Sequence, residues 1–221
     1  MRTVIFDLDG TLADTSADLI SAANTYFRTQ GAGDLLDPAT DAYTAHQGGR
    51  AMLRLGFSRL GDWTEAQVNA AYPVLLEAYE ANICRETRMY PGAIDAVEAL
   101  RALGFCTGIC TNKPEHLAQV LLEKLGVRSL FAALVGTGTL PVSKPDPAPY
   151  RLSVERAGGR VARSMLIGDT ETDRKTGLAA GVPVVLVTFG PEGDGVARFA
   201  PEALIGHFDE LPALADRLIP V

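Results

Sequence analysis

The sequence predicts an α/β fold: a doubly wound parallel sheet with an all-helical segment inserted after the first strand. Short apolar runs alternate with amphipathic stretches through the second half of the chain, an order typical of parallel strands joined by right-handed helical crossovers. The stretch 14–85 has helical periodicity and no convincing strand. Polar residues directly follow several apolar runs, as expected where parallel strands end and ligands bind.

Apolar spacing defines the predicted elements in chain order. The run 4–8 predicts a buried strand that ends in carboxylates, and Leu19, Ala23 and Phe27 then share one face of a predicted helix. From residue 93 onward, helices are predicted at 93–103, 115–125, 149–157 and 171–180, with strands at 105–111, 131–136, 165–168 and 183–187, before a C-terminal helix carrying Phe208, Leu211, Leu214 and Leu218. We therefore expect an α/β core of 1–13 with 86–221 and a helical cap of 14–85.

The composition is that of a globular protein with a substantial core. The chain has 221 residues, of which 47% are hydrophobic and 21% charged, which excludes a disordered chain and a small disulfide scaffold. Cys106 and Cys110 lie in one predicted strand, where four residues span about 13 Å, too far for a disulfide. Free thiols in a reducing compartment are the expectation.

The charge pattern excludes several classes of partner. The chain carries 20 Lys and Arg against 27 Asp and Glu, a formal net charge of −7, and no run of basic residues. We therefore expect no nucleic-acid partner and no membrane partner. The first residues lack the apolar core of a signal peptide, and the apolar run 182–187 is too short to span a bilayer. The expected location is cytoplasmic, and the expected state is a monomer or a homodimer.

Acidic residues cluster at the predicted strand ends. Asp7 and Asp9 follow the first strand and, being two apart, project to the same side about 6–7 Å from each other. Gly10 permits a sharp turn that brings backbone N–H groups close to an anion. Asp169 follows another strand and could join Asp7 around a hard cation, for which Mg²⁺ is the best candidate. Such a cation, together with Lys144, would offset the repulsion between the carboxylates.

Four motifs in a fixed order carry a resemblance to a known family. They are Asp7-Leu-Asp-Gly-Thr-Leu12, Thr111-Asn-Lys-Pro114, Ser143-Lys-Pro-Asp-Pro147 and Gly168-Asp-Thr-Glu-Thr-Asp173. Together they resemble the haloacid dehalogenase-like hydrolase superfamily, and within it the phosphoglycolate phosphatase group. The resemblance covers nearly the whole core and implies a Rossmann-like core with an inserted cap. It departs from the common pattern at Thr172, where an Asn is usual.

The resemblance implies roles for particular polar residues of the first three motifs. Asp7 would be the nucleophile that forms an aspartyl-phosphate. Asp9 would protonate the leaving oxygen and then deprotonate the hydrolytic water. Thr111 and the backbone N–H of Asn112 would hold phosphate oxygens. Lys144 would neutralise charge between the nucleophile and the phosphoryl group.

The resemblance also implies a metal site and a region that sets specificity. Asp7, the backbone carbonyl of Asp9, and Asp169 would bind Mg²⁺. Asp173 would act nearby, through water or by orienting the catalytic lysine. His46 and Arg50 lie in the cap, where the family places specificity residues. Arg50 could pair with a substrate carboxylate, although a solvated arginine on a helix face is the simpler interpretation.

These observations predict a Mg²⁺-dependent phosphatase that hydrolyses a small phosphorylated metabolite, with 2-phosphoglycolate as the first candidate. Two alternatives share parts of the pattern. A phosphomutase of the same superfamily would return the phosphate to its substrate. A receiver-like phospho-acceptor module would also place an aspartate beside Mg²⁺ and a lysine, but the second aspartate, the lysine loop and the cap argue against it.

Overall fold

The computed structural model describes residues 1–220, and the chain forms two compact units. One unit consists of Met1–Ala13 together with the chain from Met89 onward, and the other is Asp14–Arg88. Two-residue strands, β2 (Ala13–Asp14) and β3 (Arg88–Met89), lie where the chain passes from one unit to the other.

The first unit contains a six-stranded sheet in which every pair of neighbours is parallel. Its order is β5-β4-β1-β6-β7-β8, which confirms the predicted doubly wound α/β fold. The strands are β1 (Thr3–Phe6), β4 (Cys106–Pro114), β5 (Ala133–Thr137), β6 (Ser164–Gly168), β7 (Val184–Val187) and β8 (Ala203–Ile205). All four residues of β1 are buried because this strand lies inside the sheet between β4 and β6.

Two of the helices described in this unit begin at recognisable capping signals. The five α-helices are α5 (Ala93–Ala102), α6 (Glu115–Lys124), α7 (Pro147–Arg156), α8 (Glu171–Ala180) and α9 (Leu211–Leu218). At α7, the Asp146 side chain accepts the N–H of Ala148, and a proline occupies the first turn. At α8, Thr170 and Asp173 form a capping box, and the helix ends at the left-handed Gly181.

The second unit is built from four helices, in agreement with the absence of strand patterns in its sequence. They are α1 (Ser16–Thr29), α2 (Pro38–His46), α3 (Gly49–Ser58) and α4 (Glu65–Asn82). The buried carboxylate of Asp18 accepts the backbone N–H groups of Arg85, Glu86 and Thr87. This ties the end of the unit back to its first helix and satisfies backbone groups that would otherwise be left without partners.

Three parts of the core differ from the sequence-based expectation. Strand β8 and the 3₁₀ segment Gly193–Phe199 before it were not predicted, because a three-residue edge strand carries little apolar pattern. Strand β4 continues beyond residue 111 as far as Pro114, which pairs with Thr137 of β5. The C-terminal helix starts at Leu211, and Phe208 lies in a separate 3₁₀ turn.

The structure also answers two questions, about disulfides and about membrane-spanning helices. The three cysteines are free thiols, as predicted. Among the helices of residues 1–220, none combines the length and the hydropathy that crossing a bilayer requires.

Candidate active site

The site forms where three central strands end together. The register pairs Phe6 of β1 with Ile109 of β4 and with Ile167 of β6. The residues that follow these strand positions therefore lie side by side at the carboxyl edge of the sheet. This brings Asp7 close to Asp169 and to the polar end of β4, as expected for a doubly wound sheet.

Lys144 lies at the centre of an ion-pair network. Its Nζ is 2.9 Å from Oδ2 of Asp7 and 2.7 Å from Oδ1 of Asp173, and its side chain is 1% exposed. Burial alone would lower the pKa of Lys144, but the charges of Asp173 and Asp7 outweigh it and raise the pKa above its ordinary value. The lysine is therefore a fixed positive charge beside the Asp7 carboxylate.

Asp173 is held in place through both of its oxygens. Oδ1 accepts Lys144 Nζ, while Oδ2 accepts the N–H of Asp169 at 3.3 Å and the N–H and hydroxyl of Thr170 at 3.1 Å and 2.7 Å. Gly168 makes room for this carboxylate, since a Cβ there would lie 2.3 Å from Cγ of Asp173. These contacts fit a residue that orients Lys144, one of the two roles expected for it.

Three carboxyl groups come together at the edge of the sheet. One oxygen from each of Asp7, Asp169 and Asp173 lies within 4.8 Å of the others. Burial, reinforced by the charge of Asp173 and opposed by Lys144, raises the pKa of Asp7 to about 6. Burial and the charges of Asp173 and Asp7 raise the pKa of Asp169 well above its ordinary value, although the hydroxyl of Thr11 donates to it at 2.7 Å. A buried set of oxygen donors that repel one another fits a hard divalent cation.

The raised pKa of Asp7 links stability to pH. Without a bound cation, the folded protein keeps a proton on Asp7 up to about pH 6, whereas the ordinary pKa of the group is 3.8. The folded state binds this proton more tightly than the unfolded chain, so the contribution of Asp7 to stability falls as the pH rises through this interval. The test measures the free energy of unfolding of wild type and of Asp7→Asn with urea in excess chelator. We expect the difference between them, wild type minus variant, to fall by about 2–3 kcal/mol between pH 4 and pH 7. A difference that does not vary with pH would contradict the raised pKa.

The extension of β4 places Thr111 and Asn112 on opposite faces. Thr111 is buried, and its Oγ1 accepts the N–H of Lys113 at 3.1 Å. The Asn112 side chain brackets the backbone of Lys144, donating from Nδ2 to the carbonyl and accepting the N–H at Oδ1, both at 3.0 Å. The family resemblance implies a role only for the backbone N–H of Asn112. The structure adds that its side chain fixes the loop that carries Lys144.

Lys113 is a site residue to which the sequence analysis assigned no role. Its Nζ lies 2.9 Å and 3.2 Å from the two carboxylate oxygens of Asp9. The Lys113 side chain is 3% exposed and that of Asp9 17%. The spacing in the sequence could have indicated this role, because Lys113 is two residues after Thr111 and therefore projects to the same side of an extended chain.

Gly10 adopts the left-handed conformation that the predicted turn requires, with φ of 82°. Its own N–H donates to the carbonyl of Ala13 at 2.9 Å. That N–H is therefore used within the turn in this structure, and a contact from Gly10 to phosphate stays a prediction.

His46 and Arg50 belong to the helical unit. His46 is the last residue of α2 and is half-buried, and Arg50 lies in the first turn of α3. The Arg50 guanidinium bonds to Oδ1 of Asn69 and lies 4.2 Å from the centre of the Tyr72 ring. These contacts describe an exposed arginine supported by its own unit, and a role in specificity stays a prediction for both residues.

Comparison with known proteins places this site in a family. Residues 1–181 match the haloacid dehalogenase-like hydrolase family. The phosphoglycolate phosphatase of Mesorhizobium japonicum is 37% identical over 218 residues, which cover 98% of this chain and 96% of that protein. The phosphoglycolate phosphatase of Agrobacterium fabrum is 39% identical over 220 residues, with coverage of 97% and 93%.

The fold is also that of a solved structure. The crystal structure of a predicted phosphoglycolate phosphatase from Haemophilus somnus superimposes with a TM-score of 0.84 and covers 97% of each chain. Its sequence identity of 24% supports the fold alone. The family match and the two sequence relatives support the activity. The chain therefore belongs to the haloacid dehalogenase-like hydrolase family, in its phosphoglycolate phosphatase-like group, and is a phosphoric monoester hydrolase.

Proposed function

We propose that this phosphatase hydrolyses 2-phosphoglycolate with the help of Mg²⁺, through an aspartyl-phosphate on Asp7. The observation that carries the mechanism is the buried contact of 2.9 Å between Lys144 Nζ and the Asp7 carboxylate. A carboxylate that attacks a phosphate dianion meets electrostatic repulsion, and a fixed cation beside it lowers that repulsion. The choice of substrate is supported by the two relatives named phosphoglycolate phosphatase.

The first step forms a bond between a carboxylate oxygen of Asp7 and phosphorus while the ester bond to the leaving alcohol breaks. Asp9 gives a proton to the leaving oxygen. In the second step Asp9 takes a proton from a water molecule, which attacks phosphorus and releases Asp7 as a free carboxylate. Thr111, the N–H of Asn112 and Lys144 hold the phosphoryl oxygens during both steps.

The oxygens of Asp7 and Asp169, with the backbone carbonyl of Asp9, would hold the Mg²⁺ ion. When bound, the ion supplies positive charge that offsets the negative charge of the phosphoryl group. Asp173 has both oxygens engaged by Lys144 and by the start of α8. We therefore assign Asp173 to orienting Lys144, and it would act on a bound ion only indirectly.

Phosphate release from a panel of monoesters tests the proposal. The panel contains 2-phosphoglycolate, glycerol 3-phosphate, 3-phosphoglycerate and p-nitrophenyl phosphate, each assayed with Mg²⁺ and with excess chelator. We expect turnover to depend on the metal, to return when Mg²⁺ is restored, and to have the highest kcat/KM for 2-phosphoglycolate. A higher kcat/KM for another ester would contradict the substrate, and full activity in chelator would contradict the metal.

A further inference from the structure

Two buried lysines serve this site, and their carboxylate contacts differ. Lys144 is held between the carboxylates of Asp7 and Asp173. Lys113 forms a two-oxygen contact with Asp9, at 2.9 Å and 3.2 Å. Lys144 contacts the proposed nucleophile, whereas Lys113 contacts the residue that has to reach the leaving group. In the proposed mechanism, the second ion pair therefore lies beside the leaving oxygen.

The contact between Lys113 and Asp9 has to change during the reaction. Both oxygens of Asp9 face Lys113 in this structure, and at least one must turn toward the leaving oxygen to exchange a proton with it. Lys113 has little freedom to follow, because its side chain is 3% exposed and its backbone N–H donates to Thr111. A buried ammonium group that loses part of its carboxylate contact is strongly destabilised unless another anion replaces it.

We propose that Lys113 binds an anionic group of the leaving alcohol and thereby selects esters of 2-hydroxy acids. In such an ester the carboxylate is joined to the carbon that bears the ester oxygen, so it lies close to Asp9 when Asp9 contacts that oxygen. The substrate carboxylate then takes over the place beside Nζ that Asp9 gives up. This inference rests on the proposed function and explains how the core itself distinguishes 2-phosphoglycolate from neutral esters.

The geometry also defines the class of substrate. Esters of other 2-hydroxy acids, such as 2-phospholactate and 2-phosphoglycerate, place a carboxylate at the same distance from the ester oxygen. In 3-phosphoglycerate the carboxylate is one carbon farther away. We expect Lys113 to favour the first group over the second, because a charge-assisted hydrogen bond depends strongly on the separation of its partners.

The test compares 2-phosphoglycolate with its neutral amide, 2-phosphoglycolamide, which has nearly the same shape. In wild type we expect kcat/KM to be about 10- to 100-fold higher for the carboxylate, the range of one charge-assisted hydrogen bond. Lys113→Met should reduce this preference to less than about 3-fold, and Lys113→Arg should keep part of it. Lys124→Met, which removes an exposed lysine of α6, should leave the preference unchanged.

A binding measurement separates this inference from the proposed function. Titration calorimetry of both compounds in the Asp7→Asn background needs no turnover, and Lys113→Met should weaken binding of the carboxylate alone by at least about 10-fold. If Lys113→Met loses binding of the carboxylate alone, the inference is supported, whether or not wild type hydrolyses the two compounds. If wild type fails to hydrolyse 2-phosphoglycolate, the proposed substrate is overturned but the inference is not. Equal loss for both compounds, or no loss, would overturn the inference while metal-dependent hydrolysis of 2-phosphoglycolate still stands.

Discussion

Asp7→Asn is expected to lower kcat for 2-phosphoglycolate by at least about 10⁴-fold, the scale seen when a nucleophile is removed. The neutral amide oxygen is a much weaker nucleophile toward phosphorus than a carboxylate oxygen. Thr111, the N–H of Asn112 and Lys144 are unchanged in this variant and can still bind the substrate. The loss should therefore appear in kcat and not in the affinity for the substrate.

The Asp7→Asn protein should fold normally. The amide has the shape of the carboxylate, so its oxygen can still accept the N–H of Leu8, which donates to Asp7 at 2.7 Å. Lys144 keeps its contact of 2.7 Å with Asp173. Burial raises the pKa of Asp7, which shows that the ionised group is held there at a cost, so replacing it with a neutral amide adds little instability.

Three measurements check this prediction. Phosphate release gives kcat, circular dichroism gives the thermal midpoint, and acid quenching after mixing with ³²P-labelled substrate detects phosphate bound to protein. Wild type should acquire label and Asp7→Asn none. Asp62→Asn, at an exposed position, is the matched control and should behave as wild type. A purified Asp7→Asn protein that retains activity, or that takes up label, would refute the assignment of the nucleophile.

Lys144→Met is expected to lower the free energy of unfolding by about 3–5 kcal/mol and to abolish turnover. The lysine is 1% exposed and lies within 2.9 Å of two carboxylates. Removing it leaves Asp7 and Asp173 buried close to each other without the cation that offsets their repulsion. This is the situation in which breaking a buried ion pair has its largest effect on stability.

Lys175→Met provides the matched control for this variant. Lys175 lies in α8 and pairs with Glu171 at 2.8 Å, but both side chains are 55% exposed. Its replacement should change the free energy of unfolding by less than about 0.5 kcal/mol, as for other exposed pairs one turn apart. Urea unfolding of both variants in excess chelator makes the comparison. A loss below about 1 kcal/mol for Lys144→Met would show that solvent or local rearrangement compensates the two carboxylates.

Much of the fold followed from local patterns. The helix predicted at 171–180 has the same limits in the structure. Its ends are set by local residues: a capping box at Thr170 and a glycine at Gly181. The strand predicted at 165–168 begins one residue earlier, at Ser164. Strand β8 was missed because three residues at the edge of a sheet are held by pairing with β7 and carry little signal of their own.

The site, like the fold, was predicted from the sequence only in part. The sequence by itself determined which residues of the four motifs follow the strands, since the order of polar residues after apolar runs is a local property. Only the tertiary structure decided how they pair. The ion pair between Lys113 and Asp9 joins residues 104 positions apart, and Asn112 supports the backbone of Lys144 from 32 positions away. Such contacts depend on the order and register of parallel strands, which bring distant segments to one edge of the sheet and which no local pattern specifies.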